Sequence, residues 1–141
     1  MNKRETVQGL MDSIQQGDFE NAKTMLATDF QFSGSVPEPI NAEAWLRMSV
    51  SMRSAFPDLD YHFKVIGADG DVVRSTSQLS GTQNGSFDLT GMNLGVIPAT
   101  NKTFSAKREK NKVTVTGTKI TAWVVEPTDG AGLTEIIKQL K

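Results

Sequence analysis

The sequence predicts an α+β fold, and three observations carry the prediction. Apolar residues recur at helical spacing through the first third of the chain. After Pro57 they alternate instead, with turn signals between the runs, as in antiparallel strands. A last amphipathic segment then closes the chain. Helices first and a meander afterwards is the order of an α+β domain rather than of a parallel sheet with crossover helices.

Asn2 with Glu5 forms a capping pair for a first helix, whose stripe is Val7, Leu10, Met11 and Ile14 and whose end is Gly17. Asp18 caps a short second helix carrying Phe19, Ala22 and Leu26. Phe30 and Phe32 alternate in a short strand, and Gly34 to Pro39 connects it onward. Asn41 caps the next helix, with Glu43 in its first turn and Trp45, Met48, Met52 and Ala55 along one face. Pro57 ends it near Phe56.

Tyr61, Phe63 and Val65 are expected on one face of the first meander strand, with His62, Lys64 and Ile66 on the other. Ala68-Asp69-Gly70-Asp71 is a hairpin turn. The return strand, Val72 to about Gly81, puts Val73, Ser75, Ser77 and Leu79 on one face. Two serines there leave either room and hydrogen-bonding groups inside or a solvated face. Further on, Phe104 and Ala106 have even parity and Val113 and Val115 odd parity. The inward face must therefore switch through a bulge or kink within Lys107–Lys112, the KREKNK run, which otherwise reads as a solvated bend. Gly117-Thr118 turns into a last strand, Lys119–Glu126, with apolar residues on both faces: Ile120, Ala122 and Val124 against Trp123 and Val125. That pattern suits a mid-sheet strand covered on both sides, a partner subunit being one cover. Leu133, Ile136, Ile137 and Leu140 form the closing helix.

Between the return strand and Phe104 lies a long glycine-rich loop, Gly81–Lys102, with four glycines, Pro98 and one carboxylate, Asp88. A connection of this length inside a compact domain is usually functional. Its middle, about Leu89–Ile97, is expected to shape or cover the mouth of a pocket.

At 141 residues the chain is expected to form one domain, 1–141. Fifteen basic and sixteen acidic residues leave a formal charge of −1, so nothing favours nucleic acid or an anionic membrane as partner. The absence of cysteine excludes disulfides and thiolate chemistry and fits a cytoplasmic protein. No phosphate-binding glycine loop, HExxH or GxSxG pattern is present, which removes the nucleotide, zinc-hydrolase and serine-hydrolase readings. No metal or cofactor is expected. His62, the single histidine, falls on the Lys64 side of its strand, as an exposed or interface residue.

The helical start, AFPDLDY (Ala55–Tyr61), GTQNGSF (Gly81–Phe87), IPATNK (Ile97–Lys102) and KITAW…GAGLTEIIKQL (Lys119–Leu140) occur in an order that resembles the SnoaL-like polyketide cyclases of the nuclear transport factor 2-like superfamily. The resemblance spans nearly the whole chain. It implies a cone-shaped roll: a strongly bent antiparallel sheet wrapped around the N-terminal helices, an interior pocket, and a homodimer through the sheet. It also implies cofactor-independent aldol cyclisation of a polyketide ester. Two departures bear on that chemistry. Family members commonly carry Gly-Thr-His-x-Gly in the loop, whereas this chain has Gln83, which hydrogen-bonds but carries no proton near neutral pH. They also tend to carry an aspartate shortly after the tryptophan matched by Trp123, where this chain offers Glu126 or Asp129.

The expected ligand is a small, mostly apolar, carbonyl-bearing molecule. Its pocket would be lined by Trp45, Met48, Met52, Phe63, Leu79, Phe104 and Trp123, with Tyr61 and Gln83 as further contacts. Catalysis of a cyclisation or isomerisation would fall to Glu126 or Asp129. The competing expectation is a non-catalytic binder or dimeric interaction module, favoured if Asp29, Asp58, Glu126 and Asp129 all face solvent. A third is a ketosteroid-isomerase-like enzyme, which needs a buried aspartate beside a tyrosine hydroxyl.

Overall fold

The structure is a computed structural model that describes residues 2–36, 38–90 and 95–140. Helix α1, Lys3–Gln16, starts where the Asn2 side chain accepts the Glu5 N–H at 2.8 Å, and ends at Gly17 with φ 79°. It buries Val7, Leu10, Met11 and Ile14, the predicted stripe. Helix α2, Phe19–Thr24, is capped by Asp18, and the chain then enters β1, Leu26–Ser33. Leu26 thus belongs to the strand rather than to the helix. After β2, Ile40–Asn41, the Asn41 side chain caps α3, Ala42–Ala55, which buries Trp45, Ser49, Met52 and Ala55.

The meander begins at β3, Lys64–Asp69, and turns through Gly70-Asp71 into β4, Val72–Ser77. Tyr61 and Phe63 therefore precede the strand that was expected to hold them. His62 has φ 48°, which breaks the extended backbone, and the Tyr61 N–H donates to Gln15 Oε1 of α1 instead of joining a ladder. Next come β5, Ser80–Thr82, β6, Phe87–Asp88, β7, Val96–Ile97, and β8, Thr103–Ser105. The long strand β9, Glu109–Thr116, turns at Gly117-Thr118 into β10, Lys119–Val125, and α4, Gly132–Leu140, follows. The main sheet runs β2-β1-β10-β9-β4-β3, antiparallel except for the β1–β10 pair.

The main sheet has register shifts in its β1–β10, β9–β10 and β3–β4 pairs, and two offsets position the cavity-facing residues. Ser77 faces Glu109 and Ser80 faces Ser105, so Gln78 and Leu79 stand opposite Ala106, Lys107 and Arg108. One side carries an extra residue, and the Ala106 N–H reaches Leu79 O at 2.9 Å across the gap. The inward face changes there from Phe104 and Ala106 to Glu109, Asn111, Val113 and Val115, all buried. This is the predicted parity switch, at the start of the KREKNK run. A second shift lies between Ile120 and Ala122 in β10. It explains that strand's mixed pattern: Ile120, Trp123 and Val125 all point inward, while Val124 is 41% exposed. The apolar residues on both faces thus arise from a bulge. The strand is nevertheless mid-sheet, between β1 and β9.

Beneath the sheet α1, α3 and α4 contribute to one contiguous core with the aromatic residues Phe30, Phe32, Trp45, Phe56, Phe87, Phe104 and Trp123. Among the described residues no helix is long and apolar enough to cross a membrane.

Gly34 marks a close crossing. Its φ is +104°, and a Cβ there would lie 1.8 Å from the Val125 carbonyl oxygen. Gly117 also has positive φ, +63°, but open space around it. In urea unfolding, Gly34→Ala should cost about 2 kcal/mol or more, and Gly117→Ala about 1 kcal/mol. Equal losses would show that the crossing over Val125 is not tight.

Candidate acid–base site

The inner face of the sheet and α3 enclose a cavity of about 70 Å³. Its walls are apolar: Phe32, Trp45, Met48, Met52, Phe63, Leu79, Trp123 and Val125. Helical spacing brings Trp45, Met48 and Met52 to one side of α3, and the alternation of β10 brings Trp123 and Val125 to the other wall. Trp45 lies at the centre of the aromatic cluster, its ring centroid 5.2 Å from Phe30, 5.6 Å from Phe32 and 5.4 Å from Trp123. Leu133 and Ile136 of α4, with Val36, close one end.

Against these walls stand a few polar side chains. Tyr61 lies at the α3 end beside Ser49; desolvation pushes the phenol pKa up to about 12. The hydroxyl is therefore a neutral donor at any ordinary pH. Ser49 itself donates to the Trp45 carbonyl at 2.9 Å. On the sheet side, Ser77 of β4 faces Glu109 of β9, and Ser75 faces Asn111. The Asn111 Nδ2 donates to Ser77 Oγ at 3.1 Å.

Glu109 is a buried carboxyl on the sheet side of the cavity. It is 5% exposed and makes no hydrogen bond or ion pair among the described residues. Burial alone, with no compensating cation, pushes its carboxyl up to about 7 from an ordinary value of 4.5. It lines the inner cavity and also an outer cleft of about 440 Å³ formed by residues such as Ser35, Pro127, Thr128, Ala131 and Leu133. Its carboxyl thus stands where the two spaces meet. Apart from Glu109 and Tyr61, no side chain among the described residues lining either space is ionisable.

Of the residues expected at the pocket, Trp45, Met48, Met52, Tyr61, Phe63, Leu79 and Trp123 line the cavity. Phe104 and Gln83 do not. Phe104 packs edge-on to Phe56 at 4.9 Å in the core beyond the register shift. Gln83 is fully buried and spans the base of the glycine-rich loop. Its Nε2 donates to Ile97 O at 3.0 Å and Pro98 O at 3.1 Å, while its Oε1 accepts from Thr100 Oγ1 at 2.7 Å. All its side-chain bonding goes into holding that loop.

Glu126 and Asp129 are exposed and line neither space. Glu126 follows the last inward residue of β10, and Asp129 lies in the turn before α4. Asp29 and Asp58 also face solvent, and Asp58 is held below the usual carboxylate range by the Thr82 N–H at 2.8 Å. Every aspartate is exposed, so none provides the buried partner that a ketosteroid-isomerase-like site needs. His62 is exposed, its Nδ1 2.6 Å from Gln78 O. The loop middle falls partly on residues 91–94, outside those described; flanking Leu89 and Thr90 line a separate groove beside Met48, not the central cavity. No group of histidine and carboxylate side chains among the described residues is arranged to hold a metal ion.

Glu109 escaped the sequence reading because it sits in a basic run. The signal that finds it is parity: counting back in twos from Val115 and Val113 gives Asn111 and then Glu109.

Fold and site together define a small α+β protein with a curved sheet, not closed into a barrel, over an apolar cavity bearing one carboxyl. The SnoaL-like polyketide cyclase family matches residues 4–123, and the chain belongs to that family. No protein of curated function matches it. Among solved structures it is similar to a protein from Jannaschia sp. CCS1 provisionally named a SnoaL-like polyketide cyclase, at 19% identity and TM-score 0.75, covering 98% of this chain and 90% of the other. An M. tuberculosis protein described as an LEH-like epoxide hydrolase aligns at 15% identity and TM-score 0.66, covering 98% and 91%. An NTF2-like protein of unknown function from Cytophaga hutchinsonii aligns at 19% and 0.58, covering 89% and 88%. Likeness at this level establishes the fold and leaves the reaction to the site.

Two predictions follow from these positions. Because the folded state raises the Glu109 pKa, it binds more protons than the unfolded chain between pH 4.5 and about 7. Stability from this group is full at or below about pH 4.5 and falls as pH rises to 7. Glu109→Gln should flatten that part of the stability–pH curve, and an unchanged slope would contradict the burial effect. Gln83→Ala should cost roughly 2–4 kcal/mol in urea unfolding by orphaning its buried partners, with ligand affinity unchanged. Weakened binding in a folded variant would place Gln83 in the site after all.

Proposed function

We propose that this protein binds a small, uncharged, carbonyl-bearing molecule in the cavity and moves a proton on it with Glu109, as in a cofactor-independent cyclisation or isomerisation. The observation that carries the reading is a buried, unpartnered carboxyl at the junction of an apolar cavity and an open cleft. A carboxyl that titrates near neutrality can take a proton from carbon beside a carbonyl and return it elsewhere. The ligand is uncharged because no cationic side chain among the described residues lines either space, and an anion beside Glu109 would be repelled. Glu126 and Asp129, exposed beyond the cavity, are weaker candidates for the proton carrier than Glu109. Tyr61 supports binding as a neutral donor at the α3 end. The inner cavity is small beside typical ligand pockets of roughly 300–1,000 Å³, so the adjoining cleft would take the rest of the molecule.

Family membership is consistent with this chemistry. A cytoplasmic homodimer through the outer sheet face remains part of the proposal, supported by the exposure of Ile66 and Val124 on that side, 45% and 41%. The second reading, a non-catalytic binder, is favoured by the exposure of Asp29, Asp58, Glu126 and Asp129 and by Gln83 in place of the family's histidine.

Acetophenone in D₂O separates the two. NMR should show exchange of its α-protons at least about 100-fold above buffer with wild-type protein, and near background with Glu109→Gln. A ligand-induced rise in Tm without any exchange would establish the binder instead.

A further inference from the structure

The strip of polar side chains on the inner sheet face has a part that proton transfer by Glu109 does not use. Asn111 is 1% exposed and lines the inner cavity, two residues along β9 from Glu109 and on the same face. Its Nδ2 is committed to Ser77 Oγ, while its Oδ1 is buried without any hydrogen-bond partner. A buried amide oxygen without a partner costs free energy, and on a residue that lines a cavity a small side-chain rotation lets a ligand's donor satisfy it. Asn111 lines only the inner space and Glu109 lines both, so Asn111 is the deeper of the two.

We infer that the ligand carries a hydroxyl donor as well as its carbonyl, and that Asn111 Oδ1 accepts that hydroxyl at the deep end of the cavity while the carbonyl end lies at Glu109. This rests on the cavity reading proposed above and sharpens it into a substrate class: neutral hydroxy-ketones, phenolic ketones or their enols. The strand rise puts the two residues roughly 7 Å apart, a spacing that one six-membered ring with para substituents can bridge. Asn111 is a specificity-determining residue in this scheme. A site built to accept a hydroxyl rejects the analogue without it more strongly than an apolar pocket rejects a missing methylene, because its own polar atom is then left unpaired.

Calorimetric titration with three ligands of one shape tests the inference: 4′-hydroxyacetophenone, acetophenone and 4′-methoxyacetophenone. Wild-type protein should bind the hydroxy compound about tenfold more tightly than acetophenone, and the methoxy ether no better than acetophenone. Asn111→Ala should bring the hydroxy compound within about twofold of acetophenone, whereas Glu109→Gln should keep the preference. Equal wild-type affinities for the hydroxy compound and acetophenone would overturn the inference and leave the cavity reading standing. Tight binding of the ether would overturn it too, since it would mean that Asn111 presents a donor. Failure of all three to bind would overturn both readings. The wild-type comparison decides the matter even if Asn111→Ala does not fold.

Discussion

The arrangement depends on one extra residue, where Ala106, Lys107 and Arg108 stand opposite Gln78 and Leu79. Side chains alternate along a strand with period two, so a one-residue offset moves the following set to the other face. Before it, Phe104 and Ala106 fill the core beside Phe56. After it, Glu109 and Asn111 point inward where their neighbours in the chain, Arg108, Lys110 and Lys112, are exposed. Without the offset the basic side chains would meet the cavity and the carboxyl would lie in solvent.

What surrounds Glu109 is as consequential as its position. The walls supplied by Trp45, Trp123, Met52 and Val125 remove water without replacing it with a cation or a donor. Desolvation is therefore unopposed, and the carboxyl is held near neutrality. A group optimised for stability would have been paired or replaced by an apolar residue. Its retention among hydrophobic neighbours is the kind of local conflict that natural proteins keep at functional positions. Asn111 repeats the pattern beside it, with one end of its amide satisfied and the other buried without a partner.

Much of the fold was legible in the residues. The capping side chains of Asn2, Asp18 and Asn41, the turns at Gly70 and Gly117, and the parity switch are each encoded within a few neighbouring positions. The apolar wall was legible for the same reason, since Trp45, Met48 and Met52 share a helix face and the serines of β4 share a strand face. What escaped depended on tertiary surroundings. Phe104 has the inward parity of a pocket residue but lies beyond the register shift. Gln83 occupies a position where the family's pattern suggests chemistry, and only its buried bonds to Ile97, Pro98 and Thr100 reveal a structural role. The alternating apolar residues of β10 looked two-sided because the bulge between Ile120 and Ala122 is invisible in composition. Glu109 was concealed by its charged neighbours, although the strand period that defines the switch also points to it.

Everything proposed for the cavity depends on one buried carboxyl, that of Glu109, titrating near neutrality. Carbon-13 NMR of protein labelled at glutamate side-chain carboxyls, assigned by comparison with Glu109→Gln, measures this directly. The Glu109 resonance should titrate with a midpoint about 7. A midpoint near 4.5, the ordinary value for this side chain, would contradict it.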